Sequence, residues 1–301
     1  MNRRDFLVAG AGAGAAGLIR SKRAQGAPPQ LADARTAHHQ APFPAASQFK
    51  LSVTRWPYHQ FTLDQLSQMA KELGIDSVEL LEPDEWAIPK RYGLTCAMGY
   101  ATVPDPRTRL TQGFNRIDNH AWLIPAYQRA IPLAAAAGVP NVICFSGSRG
   151  GINDSEGRET CARGLAPLIP LAERHGVTLC MELLNSRQDH PDYQCDHTTW
   201  GVALAKQVAS ERFKLLYDIY HMQIMEGDVI RTIRDNHQYI AHFHTGGVPG
   251  RHEIDGSQEL NYPAIMRAIA ETGFSGYVAQ EFVPTRDPRT SLAEAVRLCR
   301  V

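Results

Sequence analysis

From Phe49 onward the chain repeats one pattern eight times: a short apolar run, a polar junction, then a helical stretch. The apolar runs are Lys50–Thr54, Ser77–Leu81, Thr95–Met98, Asn141–Ser146, Thr178–Leu183, Lys214–Ile219, Ile240–His244 and Tyr277–Glu281. The helical stretches are Leu63–Leu73, Asp84–Tyr92, Ile117–Ala137, Glu156–His175, Thr198–Val208, Asp228–Asn236, Tyr262–Thr272 and Ser291–Leu298. Such alternation predicts βα units and a parallel sheet, because parallel neighbours need a crossover that is usually a helix. Glycine precedes several of the runs, in ELGI, AAGV, RHGV and ETGF, where it supplies the left-handed residue that stops a helix.

Eight units in a chain of 301 residues predict a single (β/α)8 TIM barrel. The competing layout, an open doubly wound sheet, would carry a Gly-rich phosphate loop after its first strand. Here the first strand runs into TRWPYHQ, and the one GxGxxG-like run lies within Gly10–Gly17, ahead of the repeats.

That N-terminal stretch reads as an address. Arg3-Arg4 is followed by Asp5, Phe6 and Leu7, then by a weakly apolar Ala/Gly run from Val8 to Ile19. The pattern predicts a twin-arginine export signal over residues 1–26, cut after Ala24-Gln25-Gly26, and hence a periplasmic protein. The apolar run is too short and Gly-rich to serve as a stable membrane anchor. Residues 27–47, rich in Pro, Ala and Gln, predict a disordered tether, with His38 and His39 in it, and the barrel occupies 48–301.

The charge balance argues against one class of main partner. Lys+Arg and Asp+Glu both number 31, whereas a nucleic-acid-binding surface calls for a basic surplus. The six cysteines form no CxxC pair, so no zinc ribbon or thioredoxin-like motif is present. Cys96, Cys144 and Cys180 sit within apolar runs and read as small buried hydrophobes.

In a TIM barrel the active site forms at the C-terminal ends of the strands. Strand five ends in CMELLNS and places Glu182; strand six delivers Asp218, with His221 just beyond it. Strand seven, AHFHTGG, offers His242 and His244 on one face, of which His244 is nearer the rim. Strand eight, VAQEFVP, places Glu281. Four successive strands therefore bring Glu182, Asp218, His244 and Glu281 to one rim. Three carboxylates packed together repel unless a cation intervenes. Three oxygen donors and one imidazole suit a divalent ion, Mn²⁺ first and Mg²⁺ or Co²⁺ next, better than a structural zinc. Glu182 and Glu281 would also reach a carbon-bound proton of a hydroxycarbonyl substrate whose enediolate the ion stabilises. Return of the proton to the neighbouring carbon is isomerisation; return from the opposite face is epimerisation. His221 and Arg251 are suited to hold substrate oxygens or a carboxylate.

The motifs MELLNS, YDIYHMQIMEGD, HFHTGGVPGRHEIDGSQELNY and GYVAQEF, spread along the whole chain after the tether, resemble the hydroxypyruvate isomerase family within the xylose-isomerase-like TIM-barrel superfamily. The resemblance implies Glu182 and Glu281 as acid/base pair and metal ligands, Asp218 and His244 as the remaining ligands, and His221 and Arg251 as substrate contacts. It departs from the family pattern at His244, where hydroxypyruvate isomerases carry Gln and ketose 3-epimerases carry His. It also implies a small-molecule partner, and its members are often homo-oligomers.

Two long βα segments, Gly113–His120 and Asn185–Thr198, occupy positions where barrel enzymes keep specificity. Asn115, Arg116 and His120 could bind substrate or be structural, and Asn119 could cap the long helix. Glu79 and Glu82 stand between a site role and helix capping, and Trp56 and Trp86 between a pocket wall and loop packing. Three other functions compete with isomerisation. One is elimination on a 3-keto sugar or glycoside by the same enolisation. The second is an apurinic-endonuclease-like phosphodiesterase, which would call for more strand-end His and a basic face. The third is a sugar-binding barrel without catalysis.

Overall fold

The structure, a computed structural model, describes residues 49–301. The expected export signal (1–26) and tether (27–47) lie outside the described residues. Eight strands alternate with helices: β1 (Lys50–Thr54), β2 (Ser77–Glu79), β3 (Met98–Gly99), β4 (Asn141–Cys144), β5 (Thr178–Glu182), β6 (Phe213–Asp218), β7 (Ile240–Thr245) and β8 (Tyr277–Gln280). Their order is β2-β1-β8-β7-β6-β5-β4-β3, with every pairing parallel. Isolated parallel bridges, Ser77 to Thr95 and Leu81 to Gly99, join the two outer strands and close the ring. The barrel expected from the repeat is therefore present, with β2 and β3 the shortest staves.

The helices are α1 (Leu63–Glu72), α2 (Ala87–Lys90), α3 (His120–Ala137), α4 (Asp154–Leu165), α5 (Ile169–His175), α6 (Thr198–Val208), α7 (Ile219–Met225), α8 (Val229–Asn236), α9 (Tyr262–Glu271) and α10 (Pro288–Cys299). Three differ from expectation. The stretch 156–175 is two helices, α4 and α5, because Pro167 and Pro170 lack the N–H that a continuous helix needs. The stretch 84–92 keeps only four helical residues around Pro89. A helix not foreseen, α7, starts directly from β6, because the Asp218 side chain accepts a hydrogen bond from the His221 backbone N–H and caps it.

Strand interiors and helix faces form one continuous apolar core. All six cysteines are buried in it as free thiols. The register places Asp218 of β6 beside His244 of β7, so two of the expected ligands are cross-strand neighbours.

Candidate metal centre and active site

At the C-terminal rim the side chains of Glu182, Asp218, His244 and Glu281 converge. Each offers a donor atom, and these atoms all lie within 4.8 Å of one another. All four residues are buried, Asp218 and His244 completely. His244 Nδ1 lies 2.6 Å from Glu281 Oε2 and 3.4 Å from Glu182 Oε1, yet makes no aligned hydrogen bond to either. A lone ring nitrogen held among carboxylates without a hydrogen bond is what a metal ligand looks like, and the donor set fits a divalent ion.

Arg251 supplies the positive charge that this cluster needs. Its Nη2 donates to Asp218 Oδ2 at 2.8 Å and to Glu281 Oε2, and its Nε donates to the Glu281 carbonyl. Its Nη1 is 2.7 Å from His221 Nε2, so His221 is an acceptor there. Arg251 occupies a left-handed backbone position, φ 58°, immediately after Gly250. His221 is fully buried; burial and the charge of Arg251 hold its ring well below the usual imidazole range. On its other edge, His221 Nδ1 is 2.7 Å from the Asn185 amide. His221 thus sits beside the converging side chains and against Arg251.

The two glutamates differ electrostatically. Burial, and then the nearby Glu281 charge, raise the Glu182 carboxyl. Burial would raise Glu281 too, but His244 and Arg251 outweigh it and hold that carboxyl well below the carboxylate range. Trp56 adds a hydrogen bond to Glu281 from its indole Nε1.

A cavity of about 530 Å³ opens onto Glu182, Glu281, His221 and Arg251. The segment after β5 contributes Gln188, Asp189 and His190 to its wall, and Trp56 another part, as the sequence suggested. Other residues, left open between site and structural roles by the sequence, take structural ones. Asn115 lies inside the fold, donating to the Ser148 carbonyl and to Gln194. Arg116 bonds the Arg149 carbonyl and His120 the Phe114 carbonyl. The segment 113–120 is structural: a Cβ on Gly113 would lie 2.3 Å from the Gly147 backbone nitrogen, so two loop backbones touch here. Asn119 stands at the start of α3 without capping it; its amide donates to the Gly113 carbonyl. Trp86 is buried over Gly99, donating to the Leu81 carbonyl. Glu82 is paired with Arg109, and Glu79 with two histidines in the barrel interior. Sequence reasoning missed Arg109, whose guanidinium lies 3.8 Å from the Tyr100 ring centroid on the cavity wall. It falls in an irregular segment with no periodicity to mark it.

A family model for xylose isomerase-like TIM barrels matches residues 43–300. The chain belongs to that family. A 2-oxo-tetronate isomerase from Cupriavidus necator is 36% identical over 127 residues, 42% of this chain and 48% of that protein, so the match spans about half its length. A human protein described as a putative hydroxypyruvate isomerase is 25% identical over 247 residues, covering 80% of this chain and 82% of its own. Among solved structures, an AP endonuclease of family 2 from Brucella melitensis superposes with a TM-score of 0.73 at 25% identity, over 82% of this chain and 98% of that one. The kinship with hydroxypyruvate isomerases expected from the motifs is borne out.

Proposed function

We propose that the protein is a metal-dependent isomerase or epimerase of a small hydroxycarbonyl compound or sugar, hydroxypyruvate isomerase-like in its chemistry. The observation that carries this reading is the convergence of Glu182 and Glu281, from β5 and β8, on His244 at the floor of one cavity. Glu182, Asp218, His244 and Glu281 would hold the ion, with Mn²⁺ the first choice and Mg²⁺ or Co²⁺ the others. When bound, such an ion supplies Lewis-acid polarisation of a carbonyl and offsets the negative charge that develops on deprotonation.

The side chains do the rest. Glu281, aimed by hydrogen bonds from Trp56 and Arg251, takes the proton from the carbon next to the carbonyl. Returning it to the neighbouring carbon completes a 1,2-isomerisation. Glu182, which lines the same cavity, is the group to deliver a proton from the other face, which inverts the carbon that lost it. His221 and Arg251 line the same cavity and fix substrate oxygens. The test is Glu281→Gln: it removes the base, and solvent-deuterium exchange into substrate should vanish. Full exchange in that variant defeats the assignment.

The cavity supports a second reading. About 530 Å³, walled by Trp56, Leu80, Leu110, Phe145 and Leu184, is in the roughly 300–1,000 Å³ range of sites that take drug-sized ligands. A three-carbon hydroxy acid leaves most of it unfilled, whereas a 3-keto sugar or glycoside with an apolar substituent does not. On such a substrate the proton again goes to Glu281, the bond to the β-oxygen breaks, and Glu182 protonates the departing oxygen. Mass spectrometry of products separates elimination, which splits the substrate, from isomerisation, which preserves its mass. Either reaction takes place in the periplasm if residues 1–26 act as the export signal.

A further inference from the structure

Below the rim, the barrel interior holds a second polar cluster that the chemistry above does not use. Glu79 of β2 and His242 of β7 are fully buried and meet His244 across the barrel. Glu79 Oε1 lies 2.8 Å from His242 Nε2 and 3.0 Å from His244 Nε2. An ionised carboxylate only accepts, so both ring nitrogens donate to it. The second oxygen, Oε2, has no partner among the described residues, so the two rings alone anchor this carboxylate.

The consequence is at the other end of the His244 ring. With Nε2–H committed to Glu79, the ring plane is set and Nδ1 is the nitrogen left facing Glu281 and Glu182, at 2.6 and 3.4 Å. We propose that Glu79 is a positioning residue for the candidate metal centre: it holds His244 by Nε2–H so that Nδ1 is presented as a donor, and His242 locks Glu79 in place. The proposal rests on the reading of His244 as a metal ligand. A carboxylate behind a ligating histidine fixes its tautomer and orientation, and losing such a partner typically costs 10–100-fold in metal affinity. The spacings are hydrogen-bond lengths, which favours this role over a second ion among the same three residues.

The test uses the mature enzyme, stripped with EDTA and titrated calorimetrically with Mn²⁺. Glu79→Leu should weaken binding by about 10–100-fold. Glu79→Gln, which keeps an acceptor oxygen and the shape, should recover much of that loss. Imidazole ¹⁵N spectra of the Mg²⁺-loaded wild type should show the His244 proton on Nε2, and Glu79→Gln should retain it. Unchanged Mn²⁺ affinity in Glu79→Leu overturns the proposal, as does a His244 proton on Nδ1. Two ions per wild-type chain falling to one in Glu79→Leu would instead make the cluster a metal site of its own. If Glu79→Leu does not fold, the Gln variant and the spectra decide. Asp218→Ala separates the premises: unchanged Mn²⁺ binding there removes the metal-centre reading, whereas lost binding there with normal binding in Glu79→Leu removes only the role of Glu79.

Discussion

The indole Nε1 of Trp56 donates to Oε1 of Glu281 across 2.7 Å, joining the loop after β1 to the residue that follows β8. Trp56 is 42% exposed, so its ring contributes little to the core. What it contributes is a neutral donor on the carboxylate that, in the proposed mechanism, takes the proton. Arg251 lies over the same ring, 5.4 Å from its centroid, so indole, guanidinium and carboxylate form one assembly at the cavity mouth.

Replacing Trp56 with Phe keeps the aromatic wall and removes that donor. A hydrogen bond to a charged group is worth roughly 1.5–3 kcal/mol, so kcat should fall by roughly tenfold or more. Melting temperature should stay close to wild type. Steady-state rates beside a thermal melt check this; an unchanged kcat would mean that Glu281 is positioned without Trp56.

Chelation should both inactivate and destabilise the enzyme. Without an ion, Glu182, Asp218 and Glu281 have, among the described residues, Arg251 and His244 to offset their mutual repulsion. A ligand at a hundredfold excess over its Kd stabilises by about 2.7 kcal/mol. A melting point roughly 5 °C lower in EDTA, restored by Mn²⁺, is the expected result. A thermal-shift series over several divalent ions measures it and ranks them.

Glu253 gives the fold an acid-sensitive tie. Its carboxylate accepts from Thr285 N and Oγ1, Arg286 N and Ser291 Oγ, linking the loop after β7 to the start of α10. Burial would raise this carboxyl, but its own backbone N–H and the hydrogen bonds from Thr285 and Ser291 hold it down to about 2. A depressed folded-state value means stability that is present above the unfolded pKa, near 4.5, and lost as pH falls toward 2. The contribution is therefore present in full at neutral pH. Glu253→Gln should therefore melt lower than wild type at pH 7, and the gap should close between pH 4.5 and 2. Paired melts across that range test the sign as well as the size.

Export is tested by Arg3→Lys with Arg4→Lys. The twin-arginine reading predicts precursor retained in the cytoplasm, whereas wild type is shortened at its N-terminus and recovered from the periplasm. Cell fractionation with N-terminal sequencing of the product distinguishes the two.

Much of the site was legible because a barrel turns strand ends into neighbours. Glu182, Asp218, His244 and Glu281 could be chosen from position alone, and the structure brings all four together. In β7, two-residue alternation put His242 and His244 on one face, and nearness to the rim correctly selected His244 for the carboxylate cluster. The same alternation could not say what His242 touches. Its partner, Glu79, is 163 residues away, and nothing local to SVEL marks that carboxylate as one that faces inward toward two histidines. Asp218 shows the converse limit. Site residue and helix cap are alternatives in a sequence, but two oxygens let one side chain do both: Oδ1 caps α7 and Oδ2 meets Arg251.

The sequence by itself determined the repeat, the barrel and the strand-end residues, because period, length and helix-stopping glycines are local properties that closure of the ring converts into geometry. Only the tertiary structure decided the rest. It tied Asn115, Arg116 and His120 into loop packing, placed Arg109 on the cavity wall, set Trp56 on Glu281 and buried Glu79 behind His244. Each of these depends on contacts between segments far apart in the chain, and their partners are set by how loops and barrel interior pack rather than by any pattern a single segment carries.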